Sequence, residues 1–422
     1  MQKQLKKRNQ MKNNWKKVKL GDCIKIKHGY AFKGEYFSDN GNYILLTPGN
    51  FSQHDGLKLK GEKEKYYTGE FPRRYILDEG DLIVAMTDLK QSAPYLGAPV
   101  LINKKNLYLH NQRLGLISTV DNKIDKFFLY HLFNYEGLRA QIRGSATGAT
   151  VKHTAPERIY YCNVLLPKDK KIQQKIASVL SAYDDLIEVN NRRIGILEEL
   201  AQRIYNEWFV DFKFPGYEKV KIKNGVPEGW EWENILDIEY FNFCKSKIKK
   251  YEGKKEYFAT ANIDGICIVK DGELVTFNKK PSRAQIQPKE NSVWFARMKD
   301  SYKVLAYREK NKDLVNKHIL SSGMIGLESR EDCFGFLYFV IKSDWFHDLK
   351  DQYATGATQV SLTNDGLAGI KILAPDERIV KKYSEKVNVF VDEILNLQRI
   401  NNNLRKTRDL LLPKLMSGEI NV

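Results

Sequence analysis

The chain has 422 residues, 42% of them hydrophobic, and a formal charge of +17 from 69 basic and 52 acidic residues. That length and composition fit two to four domains with real cores and exclude wholesale disorder or a small disulfide-stapled scaffold. No apolar run approaches the ~18–20 residues that span a bilayer, and the five cysteines form no CxxC pair, so neither a membrane protein nor a zinc or disulfide frame is expected.

In chain order, residues 1–13 carry five basic residues and no acid, with no apolar stretch behind them. They read as a basic extension and not as a secretory signal: either Met11 is the start, or the segment is an arm for phosphate. Residues 14–167 follow as a first block of +7, with 22 basic and 15 acidic residues. Short β-rich runs at 43–46, 81–86 and 115–120 are bounded by Gly, Pro, Asn and Asp. A helix is expected over 126–142, then a Thr147-Gly148-Ala149-Thr150 turn and a strand ending at Val164–Leu166. Residues 168–213 are charge-neutral and show apolar or aromatic residues at Ile172, Ile176, Val179, Tyr183, Leu186, Leu197, Leu200, Ile204 and Trp208, interrupted by Asn190 and Arg193. This three–four spacing is the seam of a coiled coil. Acidic pairs such as Asp184-Asp185 and Glu198-Glu199 are placed on its solvated face.

Residues 214–376 form a second block, with strands at 266–269 and 292–296, a helix over 344–353 and a strand at 370–373. Its segment 245–310 alone is +8, from 16 basic and 8 acidic residues. Residues 377–422 repeat the long-helix pattern at Tyr383, Val387, Phe390, Ile394, Leu397, Leu404, Leu411 and Leu415, interrupted by Asn401 and Arg408. Helices of this size, about 35–40 residues, would be roughly 50–60 Å long.

The two blocks are copies. Phe128–Pro167 and Phe336–Pro375 align without a gap at an offset of 208, sharing Phe-Leu-Tyr, the unbroken Ala146–Thr150/Ala354–Thr358 match and the closing proline. Trp15–Val18 is matched more loosely with Trp232–Ile235, and Gly80–Ala85 with Asn291–Ala296. Between these anchors the copies diverge. The expected fold is α/β (α+β): two similar target-recognition domains joined by two long antiparallel helices that form a coiled-coil spacer, with an internal pseudo-two-fold repeat.

Catalytic signatures are missing from this pattern. There is no Pro-Pro pair for an adenine-methylating loop, no GxxxxGK[ST], no HExxH and no GxSxG. Charge and divergent surfaces on one scaffold fit a protein that reads two DNA targets; a coiled-coil scaffold whose end domains bind protein is the alternative, and a chain with its own methyltransferase or nuclease activity a remote one.

Three segments carry a resemblance to a known family: Gln173-Gln174-Lys175-Ile176-Ala177, Leu197–Asp211 and Leu411–Ile420. With the duplicated architecture they resemble the specificity subunits of type I restriction–modification systems. The resemblance implies two recognition domains on a split, asymmetric double-stranded DNA site, with paired helices as a ruler. It also implies two methyltransferase (M) subunits and restriction (R) subunits as partners; the five scattered cysteines separately point to a reducing cytoplasm. S-adenosylmethionine, ATP and magnesium would belong to those partners, leaving this chain a non-catalytic subunit. The second copy departs from the pattern, reading Asp376-Glu377-Arg378-Ile379 where the first has its Gln-Gln start.

Arg, Lys, Asn, Gln and Ser in the divergent loops are the candidates for DNA contact. In the first block these are Asn50, Ser52, Gln53, Lys90, Gln91, Ser92, Asn111, Gln112 and Arg113. In the second they are Asn262, Lys279, Lys280, Arg283, Gln285, Arg297 and Lys299. The repeated Thr-Gly-Ala-Thr invites a phosphate-loop reading, but a structural turn seating each domain on its helix is preferred. Tyr205, Trp208 and Phe209, and Leu411, Leu412, Leu415 and Met416, exceed what one seam can bury and are the candidates for a partner surface.

Overall fold

A computed structural model describes residues 14–52 and 56–422, so the basic extension at 1–13 lies outside the described residues. The chain divides into two compact units, Met1–Ile187 with Leu404–Val422, and Glu188–Asn403. Among the described residues no helix is long and apolar enough to cross a membrane.

In the first unit, β1 (Ile24–His28), β2 (Leu82–Ala85), β3 (Pro99–Leu101) and β4 (Leu114–Thr119) form an antiparallel sheet in the order β1-β4-β2-β3. Strand β2, Leu-Ile-Val-Ala, is buried at every position, and its apolar run is what a strand covered on both faces requires. The expected helix over 126–142 is two helices, α1 (Lys126–Asn134) and α2 (Glu136–Gly144), because Tyr135 between them is extended at φ −73°, ψ 124°. Asp125 caps α1, its Oδ1 accepting from the Phe128 amide at 2.9 Å. A smaller sheet pairs Ile44–Leu45 in parallel with Tyr108–Leu109, and Trp15–Lys19 closes on Asn163–Pro167. The long helix α3 (Lys170–Tyr205) begins here. Its Gln173 is buried, accepting from the Asp125 amide at 2.8 Å and donating to the Pro167 carbonyl at 3.0 Å. The glutamine-rich start thus ties α3 to both α1 and the closing strand.

The second unit repeats this plan. Strands β5 (Phe241–Phe243), β6 (Ser292–Ala296), β7 (Val304–Tyr307) and β8 (Met324–Ser329) take the same order, β5-β8-β6-β7. Helices α4 (Phe334–Lys342) and α5 (Asp344–Gln352) begin and end at the 208-residue offset from α1 and α2. Sequence periodicity gives no sign of α4, since Phe334–Ile341 is buried all round and has no polar face. The loose match of Trp15 with Trp232 is corrected by the closing strands. Trp15 faces Pro167, and Glu231 faces Ala374, so in register the counterpart of Trp15 is Trp230, one residue before Glu231. Trp230 is buried and Trp232 exposed. Where the first unit has Gln173, the second has Lys381, 3.1 Å from Asp332 and 2.7 Å from Glu377.

Helix α6 (Glu377–Met416) buries Tyr383, Val387, Ile394, Leu397, Asn401, Arg408 and Leu415 as its spacing predicts, whereas Phe390, Leu404 and Leu411 are half-buried and Val391 and Leu412 are buried in place of two of them. The seam of α3 buries Ile176 as expected, and Trp208 just beyond the helix is buried too, but three of its positions are one residue out of phase. Leu180, Ile187 and Ala201 are buried, whereas Val179, Leu186 and Leu200 are exposed. Each stands next to its neighbour as an apolar pair, so either phase satisfies the spacing. Within the second unit the two helices run antiparallel, Asn190 Nδ2 donating to Asn401 Oδ1 at 2.8 Å and Tyr383 OH to the Ala201 carbonyl at 3.3 Å. Within the first unit Arg408 Nη1 meets Asp184 Oδ1 at 2.6 Å, again antiparallel. Asp184 therefore faces the seam and not solvent, and Glu198 pairs with Lys342 at 2.8 Å.

Candidate nucleic-acid interface

The two units build the same device at the end of the central strand. After β2, Thr87–Asp88 pairs with Lys152–His153, and His153 bridges Thr147, so the Thr-Gly-Ala-Thr turn is the tip of a hairpin clipped to the strand end. The Thr154 amide donates to the Met86 carbonyl at 3.0 Å, and the Met86 amide to the Arg113 carbonyl at 2.9 Å. Residues 88–96 thus emerge between the hairpin and the 111–113 turn. In the second unit the Leu362 amide donates to the Arg297 carbonyl at 2.8 Å and the Arg297 amide to the Gly323 carbonyl at 2.9 Å. Ser361 bridges Met298. The repeated turn therefore seats each hairpin on its sheet end, and not on a long helix as expected.

Buried charge holds each emerging loop. Asp88, 2% exposed, accepts from the Lys90 amide at 2.9 Å and the Tyr95 amide at 2.6 Å. Arg139 on α2, 1% exposed, donates from Nε to the Leu96 carbonyl at 3.0 Å and from Nη2 to the Pro94 carbonyl. Burial brings its pKa down to about 10, which leaves it cationic at neutral pH. On the equivalent helix α5, Lys350 is wholly buried and donates to the Met298 carbonyl at 2.8 Å, with Asp351 Oδ1 at 2.7 Å. Asp351 in turn accepts from the Asp300 amide at 3.0 Å. An Arg139→Met variant takes the donor from the buried Leu96 carbonyl and the half-buried Pro94 carbonyl and is expected to cost the first unit about 2–3 kcal/mol. Its thermal unfolding, with limited proteolysis between residues 88 and 96, checks this.

The candidates fall into two groups. Lys90, Gln91 and Ser92 are exposed on the braced loop, and Gln112 and Arg113 on the turn beside it. Arg283, Gln285 and Lys299 are exposed in the second unit, and the Arg283 carbonyl accepts from Ser322 at 2.8 Å, next to the Gly323 turn. Lys279 is exposed, while Lys280 is half-buried with its Nζ 5.6 Å from the Phe277 ring centre. Ser52 is half-buried, and Gln53 lies outside the described residues.

In four others the polar atoms are engaged within the fold. Asn50 is fully buried, taking the Thr47 amide at 3.0 Å and giving to Glu64 at 2.9 Å. Asn262 does the equivalent task, taking the Ala259 amide at 2.9 Å and giving to the Asp271 carbonyl at 2.9 Å. Asn111 is buried and accepts from the Arg113 amide at 2.9 Å. Arg297 spends its guanidinium on the Met324 and Leu362 carbonyls and on Asn364 Oδ1, at 3.2, 3.1 and 2.9 Å. The +8 segment also holds an exposed lysine run not named among the candidates, Lys245, Lys247, Lys249 and Lys250, laid beside the strand that carries Gln285 through the Ile248–Gln285 hydrogen bond of 3.0 Å.

The expected partner surface is also corrected. Trp208 and Phe209 are buried, and Tyr205 packs with them; Phe209 lies 4.8 Å from Phe336 and Trp208 5.9 Å from Tyr383 between ring centres. Leu412, Leu415 and Met416 are core residues of the first unit, with Leu411 packed against them. Each helix end is embedded in a globular core, which absorbs the apolar surplus. The exposed apolar residues of α3 are instead Val179, Leu186, Val189, Ile196 and Leu200, a stripe at helical spacing beside the seam.

Residues 12–199 match the family model for the type I restriction modification DNA specificity domain. The chain is 27% identical over 330 residues to the type I restriction enzyme MjaIX specificity subunit of Methanocaldococcus jannaschii, covering 75% of this chain and 74% of that one. It is 22% identical to the HindI specificity subunit of Haemophilus influenzae, over 97% of this chain and all of the other. Among solved structures, the type I restriction–modification S subunit from M. genitalium shares the fold, with a TM-score of 0.57 at 17% identity over 96% of each chain.

Proposed function

We propose that this chain is a type I restriction–modification specificity subunit and that each of its two units reads one half of a bipartite, asymmetric DNA site. The observation that carries this reading is the duplicated device. The same sheet end, hairpin and buried cation present a nine-residue loop in one unit and a much shorter one in the other, with different side chains. Lys90, Gln91, Ser92, Gln112 and Arg113 serve one half-site; Arg283, Gln285 and Lys299, with the neighbouring lysine run, serve the other. Arg and Lys mostly hold phosphates, while Gln and Arg can pair with base edges in the major groove.

The chain acts in the cytoplasm as the non-catalytic member of a complex. Two M subunits dock on its helices, and the exposed stripe of α3 suits that contact because contiguous exposed apolar surface marks protein partners. R subunits complete the assembly. S-adenosylmethionine, ATP and magnesium serve those partners.

The purified chain alone is expected to transfer no methyl groups, and with an M partner to direct adenine methylation at a two-part site. Exchanging residues 20–162 for those of another family member, between the paired closing strands, should replace one half-site and leave the other. Methyl transfer by the isolated chain would overturn the first expectation. Simultaneous change of both half-sites would overturn the division into two readers.

A further inference from the structure

Ala146–Thr150 recurs unchanged as Ala354–Thr358 in copies whose surfaces otherwise differ. The Phe-Leu-Tyr identities at 128–130 and 336–338 are buried, so packing accounts for them. Thr147, Gly148, Ala149 and Thr150 are exposed, as are Thr355, Gly356, Ala357 and Thr358, and packing does not account for these. Backbone geometry explains only the glycines. Their φ values are 98° and 130°, and an added Cβ would lie 1.9 Å from the Val151 carbonyl oxygen and 2.5 Å from that of Gln359. The threonines and the alanine need another reason.

Placement supplies one. Each loop is the tip of a hairpin clipped at the same point of its sheet, Thr87 in one unit and Met298 in the other. Beside it stands a loop that differs between the units in length and in side chains. The two halves of an asymmetric DNA site also combine something different, the bases, with something identical, the sugar–phosphate backbone. An unchanged exposed loop next to a changed one matches that division, since phosphate contacts orient the duplex and carry no sequence information. Threonine hydroxyls and turn amides are phosphate donors of this sequence-independent kind, and an alanine side chain leaves the backbone open to approach.

We propose that the two Thr-Gly-Ala-Thr loops are phosphate-binding sites, each holding the DNA backbone at one half-site while the adjacent loop reads bases. This rests on the DNA reading given above.

The test uses the chain assembled with its M partner, and measures affinity for a duplex containing the methylated sequence and for one lacking it. Ala149→Glu and Ala357→Glu are each expected to weaken both duplexes by about tenfold, because a carboxylate repels phosphate whatever the sequence. Thr150→Val and Thr358→Val, which change little beyond a hydroxyl, are expected to weaken both by about threefold. The methylated sequence and the melting temperature should not change. Undiminished affinity in variants that melt normally would overturn the site, and so would a loss confined to the specific duplex with one half-site relaxed. If the glutamate variants fail to fold, the valine pair decides. A wild-type complex with no affinity for DNA would instead overturn the DNA reading, and the site with it.

Discussion

Replacing Arg408 with alanine is expected to destabilise the first unit by about 3 kcal/mol, because it removes the buried cation that meets a seam-facing carboxylate. Arg408 is 5% exposed, and its Nη1 lies 2.6 Å from Asp184 Oδ1. The other carboxylate oxygen faces His131 Nδ1 at 4.0 Å, and His131 Nε2 lies 3.0 Å from Ser181 Oγ. Burial first, and then the Arg408 charge, hold the His131 pKa down to about 3. Unfolded, the same imidazole titrates near ~6.5. The folded protein thus binds fewer protons than the unfolded chain between those values, and stability is lost as pH falls from about 6.5 toward 3. Without Arg408, the Asp184 carboxylate favours the imidazolium, the folded pKa rises, and that acid loss shrinks. The deficit of the variant relative to wild type should therefore be larger at pH 8 than at pH 5. Urea denaturation of the full chain at both pH values reads this directly. A deficit below ~1 kcal/mol, or one equal at both pH values, would show that the pair does not hold the seam. Replacing Arg408 and Asp184 together by leucine should recover most of the loss, since the seam then holds no carboxylate and Arg408's other partner, Asp409 at 3.0 Å, is exposed to solvent.

The residues that were legible in advance are those whose type and surroundings agree. Ser292–Ala296 is an apolar run and is a central strand at those bounds. Apolar neighbours blurred both seams: Leu186-Ile187 and Leu200-Ala201 in α3, and Phe390-Val391 and Leu411-Leu412 in α6, each offered two phases, and in each pair the second residue is the one buried. Helix α4 stayed hidden because burial on every side removes the periodicity that marks an amphipathic helix. Asn50 and Asn262 carry the side chain that pairs with adenine, yet both cap turns. Their recurrence at matching places in otherwise divergent loops was the available sign of a scaffold task. Arg139 and Lys350 gave no sign at all, because a cation on a helix is usually solvated, and only the loop folded over it reveals otherwise.

Four residues inserted after Ile187, together with four after Asn403, are expected to lengthen the unread gap between the half-sites by one or two base pairs. Both insertions fall where the two units divide. The first unit then keeps Asp184 with Arg408, and the second keeps Asn190 with Asn401. Four residues add about 6 Å of helix, against a rise of ~3.4 Å for each base pair. They also advance the helix by little more than one turn, so the apolar seam continues to face its partner. Insertion in α3 alone has a different outcome. The unchanged α6 cannot satisfy both polar layers at once, so either Asp184 loses Arg408 or Asn190 loses Asn401, and a buried polar group is left without its partner. That variant should be less stable by about 2 kcal/mol and should assemble poorly with M subunits. Mapping methylated adenines across a genome for the matched variant measures the gap. A matched variant that folds, methylates and keeps the original gap would remove the helices from that role, because nothing else in the neutral connector changes length with them.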